Sequence, residues 1–86
     1  MPYIKRERRL DFRWFLCDSP KYIRNKGELE YVLYQIAVKY LFMDDQPNFD
    51  RRHDVVYAVQ HVADELRRRH LDPYEDKKRE EHGDIF

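Results

Sequence analysis

Aliphatic hydroxyls, thiols and turn-forming residues are scarce in this chain. Its 86 residues include one serine, no threonine, one cysteine, two glycines and four prolines. A single Cys17 forbids an internal disulfide, and no metal-finger spacing takes its place. A lone free thiol is at home in a reducing compartment. One serine, outside any nucleophile turn, and no Gly-rich phosphate loop leave little room for hydroxyl-nucleophile or phosphate-loop chemistry. Two glycines and four prolines are too few for the turns of a β-rich fold. No run of about 18 apolar residues exists, so no membrane span is expected. The opening turns charged at Lys5-Arg6, where the apolar core of a secretory signal would begin. Charge of one sign is also missing: 17 Lys and Arg balance 17 Asp and Glu. That weakens a nucleic-acid reading, because such domains usually carry net positive charge.

What is present describes a folded protein. Hydrophobic residues make up 42% and aromatics 15%, unlike a disordered polyelectrolyte. A domain this small buries only about 60% of its unfolded surface and is marginally stable. Oligomerisation is the most available further source of buried area.

Residues 27–43 carry the clearest pattern. Leu29, Val32, Leu33, Ile36, Ala37, Tyr40 and Leu41 recur at three-and-four spacing, as in a helix that buries one stripe. Ile36 lies mid-stripe and is expected in the core. Tyr31, Tyr34 and Val38 form a flanking strip that suggests a second contact surface, with Tyr34 between subunits. Pro47 lies in a turn, and Asn48 or Asp50 is a suitable N-cap for the next helix. That helix runs over about 49–71 with Val55, Val56, Val59, Val62, Ala63 and Leu66 as its stripe. Its basic end, Arg67-Arg68-Arg69-His70, reads as a solvated helix terminus. A first helix is predicted from Lys5 to about Cys17, packed across the hairpin and stopped by Asp18-Ser19-Pro20. Residues 18–26 read as a polar loop. Asp72 can cap a short helix that opens with Pro73 and stops at Gly83. The chain is therefore predicted to be one all-α domain over 1–86: a helical hairpin (about 27–43 and 49–71) with an N-terminal helix and a short C-terminal helix and tail over 73–86.

Charge is divided into blocks. Residues 1–26 are net +5, 27–50 net −4, 51–72 net +1 and 73–86 net −2. Such blocks favour complementarity within the chain or between subunits. The C-terminal block has strong local helix signals and little to bury. It is expected to dock through Tyr74 and Ile85-Phe86, with Glu80 and Glu81 facing N-terminal arginines.

Few residues suggest chemistry. His53, Tyr57, His61 and Glu65 recur every four residues, with Asp64 beside them. His53 and His61 are about 12 Å apart along a helix, too far to share a metal. No metal and no cofactor is expected. Cys17 reads as a small apolar core or interface residue. The best anion-binding candidates are Arg6, Arg8, Arg9, Arg13 and Trp14, extended by Arg24 and Lys26, since guanidinium and indole groups hold phosphates and stack bases. In the competing reading, Trp14 and Phe15 are core and the arginines pair with acids of the second and fourth helices.

The opening Met1-Pro2-Tyr3-Ile4-Lys5, the block Gly27-Glu28-Leu29-Glu30-Tyr31, the stretch His53-Asp54-Val55-Val56 and the ending Pro73-Tyr74-Glu75-Asp76-Lys77-Lys78 with Gly83-Asp84 resemble a family of short uncharacterised prokaryotic and phage proteins. The ending is the most specific part. The chain departs from the family pattern at His82, where Asn is expected, and at Ile85-Phe86, where Val-Tyr is expected. The family has no established activity, so the resemblance carries over no catalytic residue. It implies a small cytoplasmic protein, in the host cytoplasm if phage-encoded.

These observations point to a non-enzymatic helical interaction module that self-associates and, if phage-encoded, acts on a host or viral partner. Its interface candidates are Tyr31, Tyr34, Val38, Tyr74 and Phe86. The alternative is a binder of nucleic acid or a small phosphorylated nucleotide through the N-terminal cluster. No membrane partner is expected.

Overall fold

The computed structural model describes residues 3–85, and every regular element among them is helical. The N-terminal segment is segmented rather than one straight helix. It comprises α1 (Arg6–Arg9), a 3-10 turn (Leu10–Phe12), α2 (Arg13–Asp18) and a second 3-10 turn (Ser19–Tyr22). The α-helical part ends at Asp18, as Asp18-Ser19-Pro20 predicts, but Pro20 does not end the helical path. It lies in the first turn of the second 3-10 helix, where a missing N–H costs nothing. The Ser19 hydroxyl donates to the Phe15 carbonyl and holds the junction. The expected loop over 18–26 shrinks to residues 23–25.

Helix α3 (Lys26–Leu41) starts at Asn25, whose Oδ1 accepts from the Glu28 backbone N–H at 2.9 Å. Glu28 Oε1 accepts in turn from the Arg24 backbone N–H at 2.9 Å. This reciprocal arrangement is close to a capping box. Helix α4 (Phe49–Leu66) starts at Asn48, which accepts from the Arg51 N–H at 2.8 Å. Of the two suggested caps, Asn48 is the one used. Between α3 and α4, Asp44 accepts from the Gln46 N–H at 3.2 Å, and Pro47 alone among the described residues is buried. Two arginines in the first turn of α4 oppose their own helix dipole, but Arg51 serves the negative end of α3 and Arg52 holds the connecting turn. Arg51 Nη2 donates to the Tyr40 carbonyl at 2.8 Å, and Arg52 Nε donates to the Pro47 carbonyl at 3.2 Å. Arg51 also lies over the Tyr40 ring at 4.4 Å. These contacts fold α3 and α4 into the predicted hairpin.

The predicted break at residue 72 is absent. A π-helical segment (Arg67–Leu71) carries α4 directly into α5 (Asp72–His82). The Asp72 N–H donates to the Arg67 carbonyl, five residues back, and Asp72 keeps helical angles instead of capping. The wider turn accommodates Pro73, which has no N–H to offer. Residues 49–82 thus form one rod of about 50 Å at 1.5 Å per residue, close to the longest molecular dimension of 53 Å.

Among the described residues, no hydrophobic side chain is buried. Ile36, predicted to be core, is 46% exposed. Trp14 is 82% exposed, because the N-terminal segment stands off the hairpin instead of packing across it. Cys17 is exposed as well and is no core residue of this chain. The radius of gyration is 16.9 Å, against about 12 Å for a compact domain of this length. The accessible surface is 8498 Å², against about 5,500 Å² for a folded monomer of this mass.

Candidate functional site

Two apolar grooves flank α3. The first, about 560 Å³, separates α2 and the second 3-10 turn from α3 and is walled by Trp14, Phe15, Tyr22, Tyr31 and Ile36. The second, about 610 Å³, runs between α3 and α4 and is walled by Leu33, Tyr34, Val38, Leu41, Val55 and Val59. The strip Tyr31, Tyr34 and Val38 is therefore divided. Tyr31 faces the first groove, and Tyr34 and Val38 face the second. The predicted α3 stripe is divided as well: Val32 and Ile36 line the first groove, and Leu33, Ala37 and Leu41 line the second, where they face Val55, Val56 and Val59 of the α4 stripe.

The predicted anion cluster is not drawn into one site. Arg8 pairs with Asp11 and lies 4.7 Å over the Phe12 ring. Arg9 Nε donates to the Ile4 carbonyl at 3.0 Å. Arg13 lies 5.9 Å from the Trp14 ring. Lys26 pairs with Glu30 at 3.9 Å within α3. Among the described residues, no ion pair engages Arg6, Arg9, Arg13 or Arg24. The expected pairing of N-terminal arginines with acids of other helices is absent there; Arg8 and Lys26 pair only with near neighbours.

The C-terminal block does not dock on the rest of its own chain. Tyr74 is exposed and lies under Lys78 at 5.5 Å, and Ile85 is 94% exposed. Glu81 pairs with Lys78 at 3.4 Å, and Arg79 with Asp76 at 3.6 Å, all inside α5. Phe86, the other terminal anchor expected, lies outside the described residues, as do Met1 and Pro2.

One long-range polar node was missed in the sequence. The Tyr3 hydroxyl donates to Glu65 Oε2 at 2.6 Å and accepts from Arg68 and Arg69 at 3.0 and 2.9 Å. Arg68 and Arg69 also donate to Glu65 at 2.8 and 2.7 Å. Arg69 lies 5.5 Å from the Tyr3 ring. The Tyr3 hydrogen bond is the largest influence on Glu65, followed by burial, which opposes it, and by the two guanidinium groups. Together they hold its carboxyl down at about 2. The same Tyr3 and Glu65 contacts raise Arg69 above the ordinary arginine range. The run Arg67–His70 is thus only partly a solvated end. The signal available in the sequence was Glu65 with arginines at i+3 and i+4, one helix face; nothing there pointed to Tyr3.

Along α4, rings follow one another: Phe49 is stacked on His53 at 5.5 Å, and the pairs His53–Tyr57 at 4.2 Å and Tyr57–His61 at 6.0 Å are tilted. The histidines belong to this ladder. Among the described residues, no three His, Cys, Asp or Glu side chains gather to hold a metal ion. None of the described helices is long and apolar enough to cross a membrane.

A family model described as a domain of unknown function (DUF6899) matches residues 1–85. The chain belongs to that family. No curated protein and no solved structure matches it. The match spans the N-terminal segment, the hairpin and α5 together, so both grooves and the Tyr3–Glu65 node lie inside the family's domain.

Proposed function

We propose that this DUF6899 chain is a non-enzymatic helical module that works by self-association, presenting an assembled surface to a host or viral protein. One observation carries the reading: among the described residues, a chain that is 42% hydrophobic buries no hydrophobic side chain. Burial of apolar area is the dominant favourable term in folding. Helices that leave both stripes open are stable only when something covers them. The opening and closing motifs support a prokaryotic or phage origin, and with it action in the cytoplasm, that of the host for a phage protein. Sedimentation equilibrium at tens of micromolar tests the reading. The expected mass is a multiple of 10.8 kDa. A helical, cooperatively melting monomer would remove it.

The second reading is an anion binder, favoured by a specific feature. Trp14 is 82% exposed, next to Arg13, and Arg6, Arg9 and Arg13 have no acidic partner among the described residues. A ligand with phosphate and base could pair with the guanidinium groups and stack on the indole. Trp14 fluorescence reports it directly. Quenching by a single-stranded oligonucleotide or a cyclic dinucleotide, reversed by salt, would support this reading over a purely structural role.

A further inference from the structure

We propose that the α3–α4 groove is closed by the same groove of a second copy, with α3 antiparallel to α3 of that copy across a two-fold axis near Ala37. The proposal rests on the self-association reading and specifies its contact.

Three observations select this occupant. First, none of the described chain fills the groove. The N-terminal residues are tied elsewhere, through Tyr3 to Glu65, Arg68 and Arg69, and the α2 aromatics face the other side of α3. Second, the area fits. The excess over a compact monomer is roughly 3,000 Å² per chain, or about 6,000 Å² for two chains, enough to supply an obligate interface of about 2,000–5,000 Å² over both partners. Third, the charges are placed for a two-fold contact. The groove has two charged lining residues, Glu30 and Arg52. Arg52 sits at the turn end, 5.8 Å from the Phe42 ring. Glu30 sits twelve residues before Phe42, about 18 Å away along α3. A two-fold axis between them reverses the ends of the facing groove. Each Glu30 then meets Arg52 of the second copy, and the contact is made twice. A parallel arrangement would set Arg52 beside Arg52. Ala37 also lies on the groove between these ends, where its small side chain lets two helices approach closely.

A symmetric charge swap tests this. Glu30→Arg and Arg52→Glu each place like charges at both ends of the interface. Each should weaken the dimer at least about tenfold by sedimentation. The double variant should restore it. Because Arg52 also holds the Pro47 carbonyl, a cysteine pair provides an independent check in a Cys17→Ser background. Ala37→Cys should form a covalent dimer with a short bis-maleimide, whereas Gln35→Cys, on the first groove, should not. A monomeric parent protein would overturn the self-association reading itself. An oligomeric parent whose mass ignores both charge changes, or a cross-link at Gln35 and none at Ala37, would leave that reading standing and overturn this contact. The latter result would place the first groove, with the α2 aromatics, between the copies instead. Weakening by both single changes without recovery in the double would overturn the antiparallel register.

Discussion

Tyr3 and Glu65 lie 62 positions apart, yet one hydroxyl ties the N-terminal segment to the end of α4. Glu65 retains only 16% of its side-chain exposure and is hydrogen-bonded by Tyr3, Arg68 and Arg69. Its carboxyl lies at about 2, below the ordinary 4.5. A carboxylate with a depressed folded value adds stability above its unfolded value and loses it as pH falls toward the folded one. The loss should therefore run from about pH 4.5 down to about pH 2. Tyr3→Phe removes the largest cause of the shift. In that variant the Glu65 carboxyl should titrate at a higher pH by carbon-detected NMR. Its melting temperature should also be lower at pH 7 and fall less between pH 5 and pH 2.5 than that of the parent. An unchanged Glu65 titration would show that the arginines alone suffice. This node was illegible in the sequence because a tyrosine three residues from the start has no periodic neighbours. Only the fold brings it to the Glu65-Arg68-Arg69 face.

At the scale of elements, the hairpin was legible because three-and-four spacing and an Asn cap are local signals. Leu33 and Ala37, Val55 and Val59 lie where their spacing says, and Asn48 caps as its residue type suggests. Asn25 was passed over because it lay inside a run read as loop. The joint between α4 and α5 was misread for a different reason. Asp72-Pro73 has the composition of a helix start, and that same composition fits a wide turn inside a continuing helix. The choice is made by the Asp72 N–H reaching the Arg67 carbonyl, a geometric fact with no residue signature. The wide turn has a consequence for stability. Proline inside a helix is about 3 kcal/mol less favourable than alanine. The π segment recovers part of that difference. Pro73→Ala restores a backbone donor and allows regular α-helical bonding through 67–73. The variant should gain helical ellipticity at 222 nm and melt about 5 °C higher, since about 1 kcal/mol moves a domain of this size by about 4–8 °C. A lower melting temperature would mean that the π turn sets a register on which other contacts depend.

At the scale of the whole molecule, periodicity identifies which face of a helix is apolar and is silent about what covers it. Ile36 illustrates the difference: it lies mid-stripe, yet it faces the Trp14 groove and stays 46% exposed. On the self-association reading proposed above, an 86-residue chain that presents 8498 Å² couples its folding to its assembly. If the grooves are closed between copies, the folded state is stabilised by mass action, and its stability depends on protein concentration. Each tenfold dilution of a dimer removes about 1.4 kcal/mol. For two chains melting as one unit of about 170 residues, 1 kcal/mol corresponds to about 2–4 °C. The melting temperature at pH 7 should therefore fall by about 3–6 °C for each tenfold dilution, followed by circular dichroism from about 100 to about 1 μM. Helicity and the sedimenting mass should be lost together, since neither stripe has a covered face in the isolated chain. A melting temperature independent of concentration over that range, with helicity retained at the lowest concentration, would show that the single chain supports its own fold with its grooves open to solvent.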